Sequence, residues 1–337
     1  MSAPVDITAL AGAPLWISEA EVVAALHLGE AIDALERCLP LEVEGRARSM
    51  AKTHATWGGG HTLHAIGAVI DGAGVVGTKS WAHTSGGATP LLLLWGAEDG
   101  RLLAIIEAFA LGQMRTCGIA GVATRWMASE RADELAIIGT GKQSLTQVAA
   151  VAAVRRLRRI RVFSPTAEHR RKFVAELTDL LPEIESREAD SVEAALDGAA
   201  IVTLVTRARQ PFLSARMLAR GTHVNAVGAI TPEREEFAQD VFDRVDSIAV
   251  DNVASVQALS AEFRRRFAED WSSVRPLSAV VASKTLRRDA ADLTLFKAMG
   301  MGLSDLALGI EILARVRLSG GGRALPHPRR ATPRLRA

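Results

Sequence analysis

The spacing of apolar positions changes character twice along the chain. In ISEAEVVAALHLGEAIDALERCL, residues 17–39, they recur at helical spacing, and Ser18 with Glu21 three residues later forms a capping box. From about Arg46 to Ile106 the pattern becomes short apolar runs broken by glycines: LHAIGAVI, GVVGTKSWA and TPLLLLWGAEDGRLLAII. The EDG between two apolar runs is a hairpin signal, so antiparallel strands are expected here. EAFALGQMRTCGIAGVATRWMA returns to helix. From Glu134 the rhythm alternates. Strands are predicted at LAIIG, IRVFS, AIVTLVT, THVNAV and SIAVD. Between them lie helices at KQSLTQVAAVAAVRRL, AEHRRKFVAELTDLL, SVEAALDG and SARMLARG, and one after THVNAV. Short apolar strands alternating with helices predict a parallel sheet covered on both faces. A last helix, SDLALGIEILARVRL, follows a Gly-rich turn and is expected to pack back on the N-terminal part.

Composition narrows the class. Over 337 residues, 48% are hydrophobic and 23% charged, as in an ordinary globular protein. The net charge of +2 is uneven: the Arg-rich end GGGRALPHPRRATPRLRA contains no acid, which leaves the remainder net acidic. Such a body is not expected to bind nucleic acid, and the basic tail is expected to be disordered and solvated. Cys38 and Cys117 cannot build a disulfide framework, which points to a reducing, cytoplasmic setting. MSAPVDITALAGAPLW lacks a basic stretch followed by an apolar core, so no signal peptide is expected. The longest apolar runs are too short to span a bilayer. No HxxxH, HxH or CxxC spacing occurs, so no metal is expected.

LAIIGTGKQSLTQ places Gly139-x-Gly141-x-x-Ser144 between a strand and a helix. The first glycine permits a tight turn, the second lets backbone approach a pyrophosphate, and a small third residue allows helix and strand to pack closely. The helix N-terminus favours phosphate. The next strand ends in VFSPTAEHRR, with hydroxyls and cations where an acid would serve the ribose of NAD. NADP(H) is therefore expected over NAD(H). The cofactor set expected is Gly139, Gly141, Lys142, Gln143 and Ser144, with Ser164, Thr166 and Arg170, then Val205, Thr206, Val227 and Gly228.

Three cations in the first 120 residues, Arg48, Lys79 and Arg115, are candidates to hold a carboxylate. The stretches GTKSWAHTSGG, EAFALGQMRTCGIAGVAT, LAIIGTGKQSLTQVAAV, GTHVNAVGAITPEREEF and DLTLFKAMGMGLSDLALG resemble, in order and spacing, the ornithine cyclodeaminase/mu-crystallin family over about residues 15–325. The resemblance implies an α/β protein with a Rossmann dinucleotide-binding domain (residues 114–304) inserted into an α+β substrate-binding and dimerisation domain (1–113 plus 305–325). Residues 326–337 form the basic tail. It implies a homodimer. It also implies that Lys79, Arg115 and Arg48 match substrate-holding residues, that Asp305 meets Lys79 or orients the site, and that Lys297, in the segment TLFKAMGMGLSD, contacts the cofactor.

In family members that cyclise ornithine, the loop after NAVG carries an aspartate that handles the second amine. Here that position is Ile230, which can neither accept a proton nor pair with an ammonium group. The departure points to the ketimine reductase branch. The expected reaction is reduction of a cyclic imine carboxylate, such as Δ1-pyrroline-2-carboxylate or Δ1-piperideine-2-carboxylate, to L-proline or L-pipecolate. His54 and His83 are candidate proton donors beside water. Glu236 is expected to belong to the following helix. The competing readings are an amino-acid cyclodeaminase or NAD-linked dehydrogenase, and a non-catalytic ligand-binding protein.

Overall fold

The computed structural model describes residues 12–285, 287 and 290–336. The first eleven residues, part of the stretch examined for a signal peptide, lie outside the described residues. The first sheet is built from β1 (Leu15–Ile17), β2 (Ala47–Ser49), β3 (Thr53–Trp57), β4 (His61–Ile70), β5 (Val75–Thr84), β6 (Gly87–Ala88), β7 (Leu91–Gly96) and β8 (Leu102–Glu107). Its pairings are antiparallel except that of β1 with β8. The hairpin expected at EDG joins β7 to β8.

The second sheet contains β9 (Glu134–Ile138), β10 (Arg159–Phe163), β11 (Glu185–Glu188), β12 (Ile201–Leu204), β13 (His223–Ala226), β14 (Val245–Val250), β15 (Val274–Pro276) and β16 (Leu293–Lys297). All its pairings are parallel, in the order β11-β10-β9-β12-β13-β16-β14-β15. The order reverses at β9, the crevice where doubly wound sheets bind nucleotides. A final strand, β17 (Arg323–Ala324), returns to pair with β1 in the first sheet. This is the α/β architecture that the alternation of strands and helices predicts.

The helix Phe109–Met127 joins the two sheets, packing on the helix Leu28–Cys38 on one side and on β13 and β16 on the other. Its central residues, Cys117 to Thr124, are all buried. The last helix, Gly302–Leu318, packs against β4, β5 and the helix Leu28–Cys38. Residues 325–336 carry no regular structure and are mostly exposed.

Several local expectations are corrected. The single helix expected over residues 17–39 is two, Glu19–Ala25 and Leu28–Cys38. Leu26 leaves the helix to become buried, and the His27 ring caps the second helix by accepting the Glu30 N–H. The Ser18–Glu21 capping box is present. SARMLARG supplies only a 3-10 turn, Ala215–Met217, and the helix expected after β13 is replaced by a loop and the 3-10 turn Gln239–Arg244. Strands β11, β15 and β16 have no counterpart in the sequence reading. At Lys284 the backbone takes a φ of 50°, a conformation usually left to glycine.

Candidate active site

Every residue of β9 is buried, so the chain can leave the sheet only by a sharp turn at its C-terminal end. Gly139 makes that turn with φ 113°, and a Cβ there would lie 2.6 Å from the Val205 carbonyl oxygen. Around Gly141 the space is open: a Cβ would meet nothing within 4 Å. The helix that follows, Ser144–Ala152, has no side-chain cap at its N-terminus. The Ser144 amide donates to the Gly141 carbonyl at 3.0 Å, and the positive end of the helix dipole faces an anionic ligand over the loop.

Above this loop lies a cavity of about 850 Å³. Gly139, Gly141, Lys142, Gln143 and Ser164 line it on one side, and Val205, Thr206, Val227 and Gly228 on the other. A cradle that side chains would fill, an uncapped helix end and this volume fit a dinucleotide. Ser144 is fully buried beneath the loop rather than in the lining. Sequence reasoning missed Arg207, Phe212 and Arg234, which also line the cavity. The one available signal was Arg207's position, three residues beyond the apolar β12. No Asp or Glu is among the described lining residues.

Three expected cofactor residues stand elsewhere. Arg170 turns away: Nη1 donates to the Ser164 carbonyl at 2.7 Å, Nε lies 3.6 Å from Glu188, and the guanidinium stacks over Phe163. It braces the end of β10. Thr166 is the exposed residue before the helix Ala167–Leu180. Lys297 is fully buried at the end of β16, with Nζ 3.1 Å from Glu262.

On the substrate side, the last helix brings Asp305 onto β5. Lys79 Nζ bonds Asp305 Oδ1, and Arg115 Nε lies 3.4 Å from the same oxygen. Lys79 and Asp305 are almost wholly buried. Among the described residues, Asp305 Oδ2 has no hydrogen-bond partner. Burial pushes the Lys79 amine down to about 8, with Arg115 adding to the effect and Asp305 opposing it. Trp81, two residues along the same face of β5, has its ring 5.4 Å from Lys79 Nζ and 6.0 Å from Lys52 Nζ. Burial and the neighbouring Arg115 also lower the Lys52 amine.

Arg48 does not join them. In the sheet register Lys79 and Gly77 share a face with Ala68 and therefore with Ser49, which accepts the Leu303 N–H of the last helix at 3.2 Å. Arg48 alternates to the opposite face, where it bonds Asp71 and the Gly45 carbonyl. Lys52, in an irregular segment without periodic signal, is the third cation at the site. His54 and His83 are exposed. His83 stands four residues beyond Lys79 on β5, roughly 13 Å at strand rise, too far to share a small substrate with it. His64, stacked 4.7 Å from Trp81, is held near 4 by burial and by Lys52, so it is neutral at pH 7.

The Lys79–Arg115–Asp305 cluster and the cavity meet across adjacent strands. Ala226 of β13 pairs with Lys297 of β16. One strand end continues into Val227 and Gly228 in the cavity wall; the other continues into Met299 and Gly300, whose amides Asp251 holds. A Cβ on Gly300 would lie 3.0 Å from Arg115 Nη1, so that backbone closes on the guanidinium. Ile230 lines the cavity and packs on the apolar cluster around Phe237. Among the described residues, no three His, Cys, Asp or Glu are placed to hold a metal ion, and no helix is long and apolar enough to cross a membrane.

Comparison with known proteins assigns a lineage to this arrangement. The family model for ornithine cyclodeaminase/mu-crystallin matches residues 18–318. A Delta(1)-pyrroline-2-carboxylate reductase of Bacillus cereus is 26% identical over 69% of this chain and 72% of its own length. The ketimine reductase mu-crystallin of Rattus norvegicus is 27% identical over 64% of this chain and 66% of its own. Among solved structures, the Delta(1)-pyrroline-2-carboxylate reductase of Thermococcus litoralis, in complex with NADH and L-proline, superposes with a TM-score of 0.85 at 22% identity. It covers 92% of this chain and 100% of that one.

Proposed function

This chain belongs to the ornithine cyclodeaminase/mu-crystallin family, and on that premise we propose that it reduces a cyclic imine carboxylate to the corresponding L-amino acid. Δ1-Pyrroline-2-carboxylate and Δ1-piperideine-2-carboxylate, giving L-proline and L-pipecolate, are the substrates this reading favours. The observation that carries it is the buried Lys79–Arg115–Asp305 cluster beside the Gly228 edge of the cofactor cavity. Two cations share one carboxylate, so a positive charge is left to hold a substrate carboxylate. Lys52 adds to it. Asp305 Oδ2, buried and unpartnered, suits the N–H that forms when the imine nitrogen takes up its proton.

A dihydronicotinamide held in the cavity would supply a hydride for the imine carbon. The nitrogen gains a proton, and Lys79, still protonated at neutral pH with a pKa of about 8, is the group best placed to provide it. Water then reprotonates the amine. Ile230 offers no group to a second amine, so ornithine deamination is disfavoured.

We also read the cavity as preferring NADP(H) to NAD(H), since Lys142 in the glycine loop and Ser164 and His169 beyond β10 line it and no described carboxylate does. A homodimer is supported by an apolar patch: Trp57 and Leu63, 46% and 50% exposed, lie on the face of the first sheet opposite Lys79. The division into a substrate domain and an inserted nucleotide domain follows the two sheets. Free, buried Cys38 and Cys117 suit a reducing cytoplasm.

The test is oxidation of NADPH and NADH with each of the two imines, run beside ammonia release from L-ornithine with NAD. Imine-dependent oxidation without ornithine turnover is the expected result. Ammonia and proline from ornithine would overturn it. Tight NADPH binding with no turnover of either imine would favour a ligand-binding role.

A further inference from the structure

Behind the cavity wall lies a buried chain of charges, none of whose residues lines the cavity. Glu236 is fully buried, and its carboxylate accepts from four donors. Oε1 takes the Thr206 amide at 2.7 Å and the Thr206 hydroxyl at 2.8 Å; Oε2 takes the amides of Gly228 at 3.0 Å and Ala229 at 3.1 Å. Glu236 is itself held, because its amide donates to Glu262 Oε1 at 2.9 Å, and Glu262 Oε2 pairs with Lys297 at 3.1 Å. Glu262 and Lys297 are also fully buried.

The residues fastened in this way belong to two separate loops, one following β12 and one following β13. Thr206 and Gly228 both line the cavity. The loops touch so closely that a Cβ on Gly228 would overlap the Thr206 backbone and the Glu236 carboxylate. They lie on the β12–β13 side of the Gly139 loop, away from Ser164 and the end of β10. In a sheet of this order the adenosine half of a dinucleotide occupies the β10 side, which leaves the β12–β13 side to the nicotinamide half.

We infer that Glu236 is a positioning residue for the nicotinamide half of the cofactor, acting through the Thr206 and Gly228–Ala229 backbone, with Glu262 and Lys297 fixing Glu236 in turn. A single carboxylate locks both loops to each other. The wall is thus shaped before any ligand arrives, and the loops need not be ordered on binding. The inference rests on the dinucleotide reading of the cavity and not on the identity of the imine. A failure of imine turnover would therefore leave its test intact.

The test compares wild-type protein with Glu236→Gln by calorimetric titration of NADPH and of 2′-phospho-ADP-ribose, which lacks nicotinamide. Glu236→Gln turns one acceptor oxygen into a donor facing other donors. NADPH binding should weaken about tenfold, the worth of a charge-assisted hydrogen bond, while the fragment changes by less than about twofold. Equal weakening of both ligands would mean a merely structural role and would overturn the inference, as would no weakening of either. Hydrogen exchange on the cofactor-free wild type covers the case in which the variant does not fold. The amides of Thr206, Gly228 and Ala229 should be protected before NADPH is added. Free exchange that slows only on NADPH binding would show that the cofactor orders the loops, and would overturn the inference equally.

Discussion

Lys79 carries its charge where charge is costly, almost wholly buried and facing Arg115, and Asp305 offsets only part of the penalty. The sign of the shift sets a pH limb. The ammonium form is present below about 8 and is lost above it, so imine reduction should fall as pH rises through that value. A kcat/KM profile between pH 6 and pH 10 checks this, and a profile flat to pH 10 would remove Lys79 as the proton donor. Lys79→Met should lower kcat/KM by about 100-fold or more through loss of charge and proton. Arg48→Ala, an exposed pair on the other face of the sheet, should leave KM within about twofold. Lys52→Ala should raise the imine KM by roughly tenfold, and steady-state kinetics on the two variants would separate them. At this scale the sequence was partly legible. Lys79 and Arg115 stood out beside glycines and family-like motifs, and alternation along β5 could have added Trp81. Arg48 misled because a one-residue difference in strand register exchanges the two faces. Register is set by pairing with β4, which no residue near Arg48 announces.

At the scale of single elements, β13 and its loop carry the most information. All four residues of the strand are buried, including His223, whose ring bonds Thr294 and Asn225. Burial holds His223 down at about 3, against 6.5 for an unperturbed histidine. Between those values the unfolded chain binds a proton that the folded chain does not. Stability therefore falls as pH drops from 6.5 towards 3, by up to about 1.4 kcal/mol per pH unit from this group. Urea unfolding of wild type and His223→Gln at pH 7, 6 and 5 should show the shallower dependence in the variant. Identical slopes would mean that His223 titrates normally. Gly228→Ala should force the two cavity loops apart and abolish measurable NADPH binding while the far-ultraviolet circular dichroism stays native. The strand itself was legible as an apolar run ending in a glycine. The loop after it was not: PEREEF has helical composition, but Glu236 is drawn inward by the amides of two loops and by Glu262, and a chain held there cannot wind into a helix. Tertiary bonding overrode local propensity.

The whole molecule consists of two sheets joined by the helix Phe109–Met127, with the chain's end returning to the first sheet. The change from glycine-broken runs to strand–helix alternation made this division visible, because sheet class follows from the period of apolar positions. The neighbours of each strand were less visible, since short edge strands such as β11 and β15 have too few residues to show a period. The apolar patch of Trp57 and Leu63 yields a prediction at this scale. Leu63→Lys should shift a dimer towards monomer in sedimentation velocity without altering the helix and strand content, and a monomeric wild type would remove the dimer from the proposal. The Lys79–Asp305 pair joins positions 226 residues apart, and this separation bears on how the protein is made. Synthesis runs from the N-terminus, so Lys79 leaves the ribosome long before its partner exists. The loops of the nucleotide cavity are complete earlier, by Arg234 in the loop after β13. A nascent chain arrested just short of Gly302 would leave the Lys79 face of β5 without the helix that covers it and without the counter-ion, beside a nearly finished cofactor site. The acid that pairs with Lys79 is thus delivered late, after every strand of both sheets except β17 has been made.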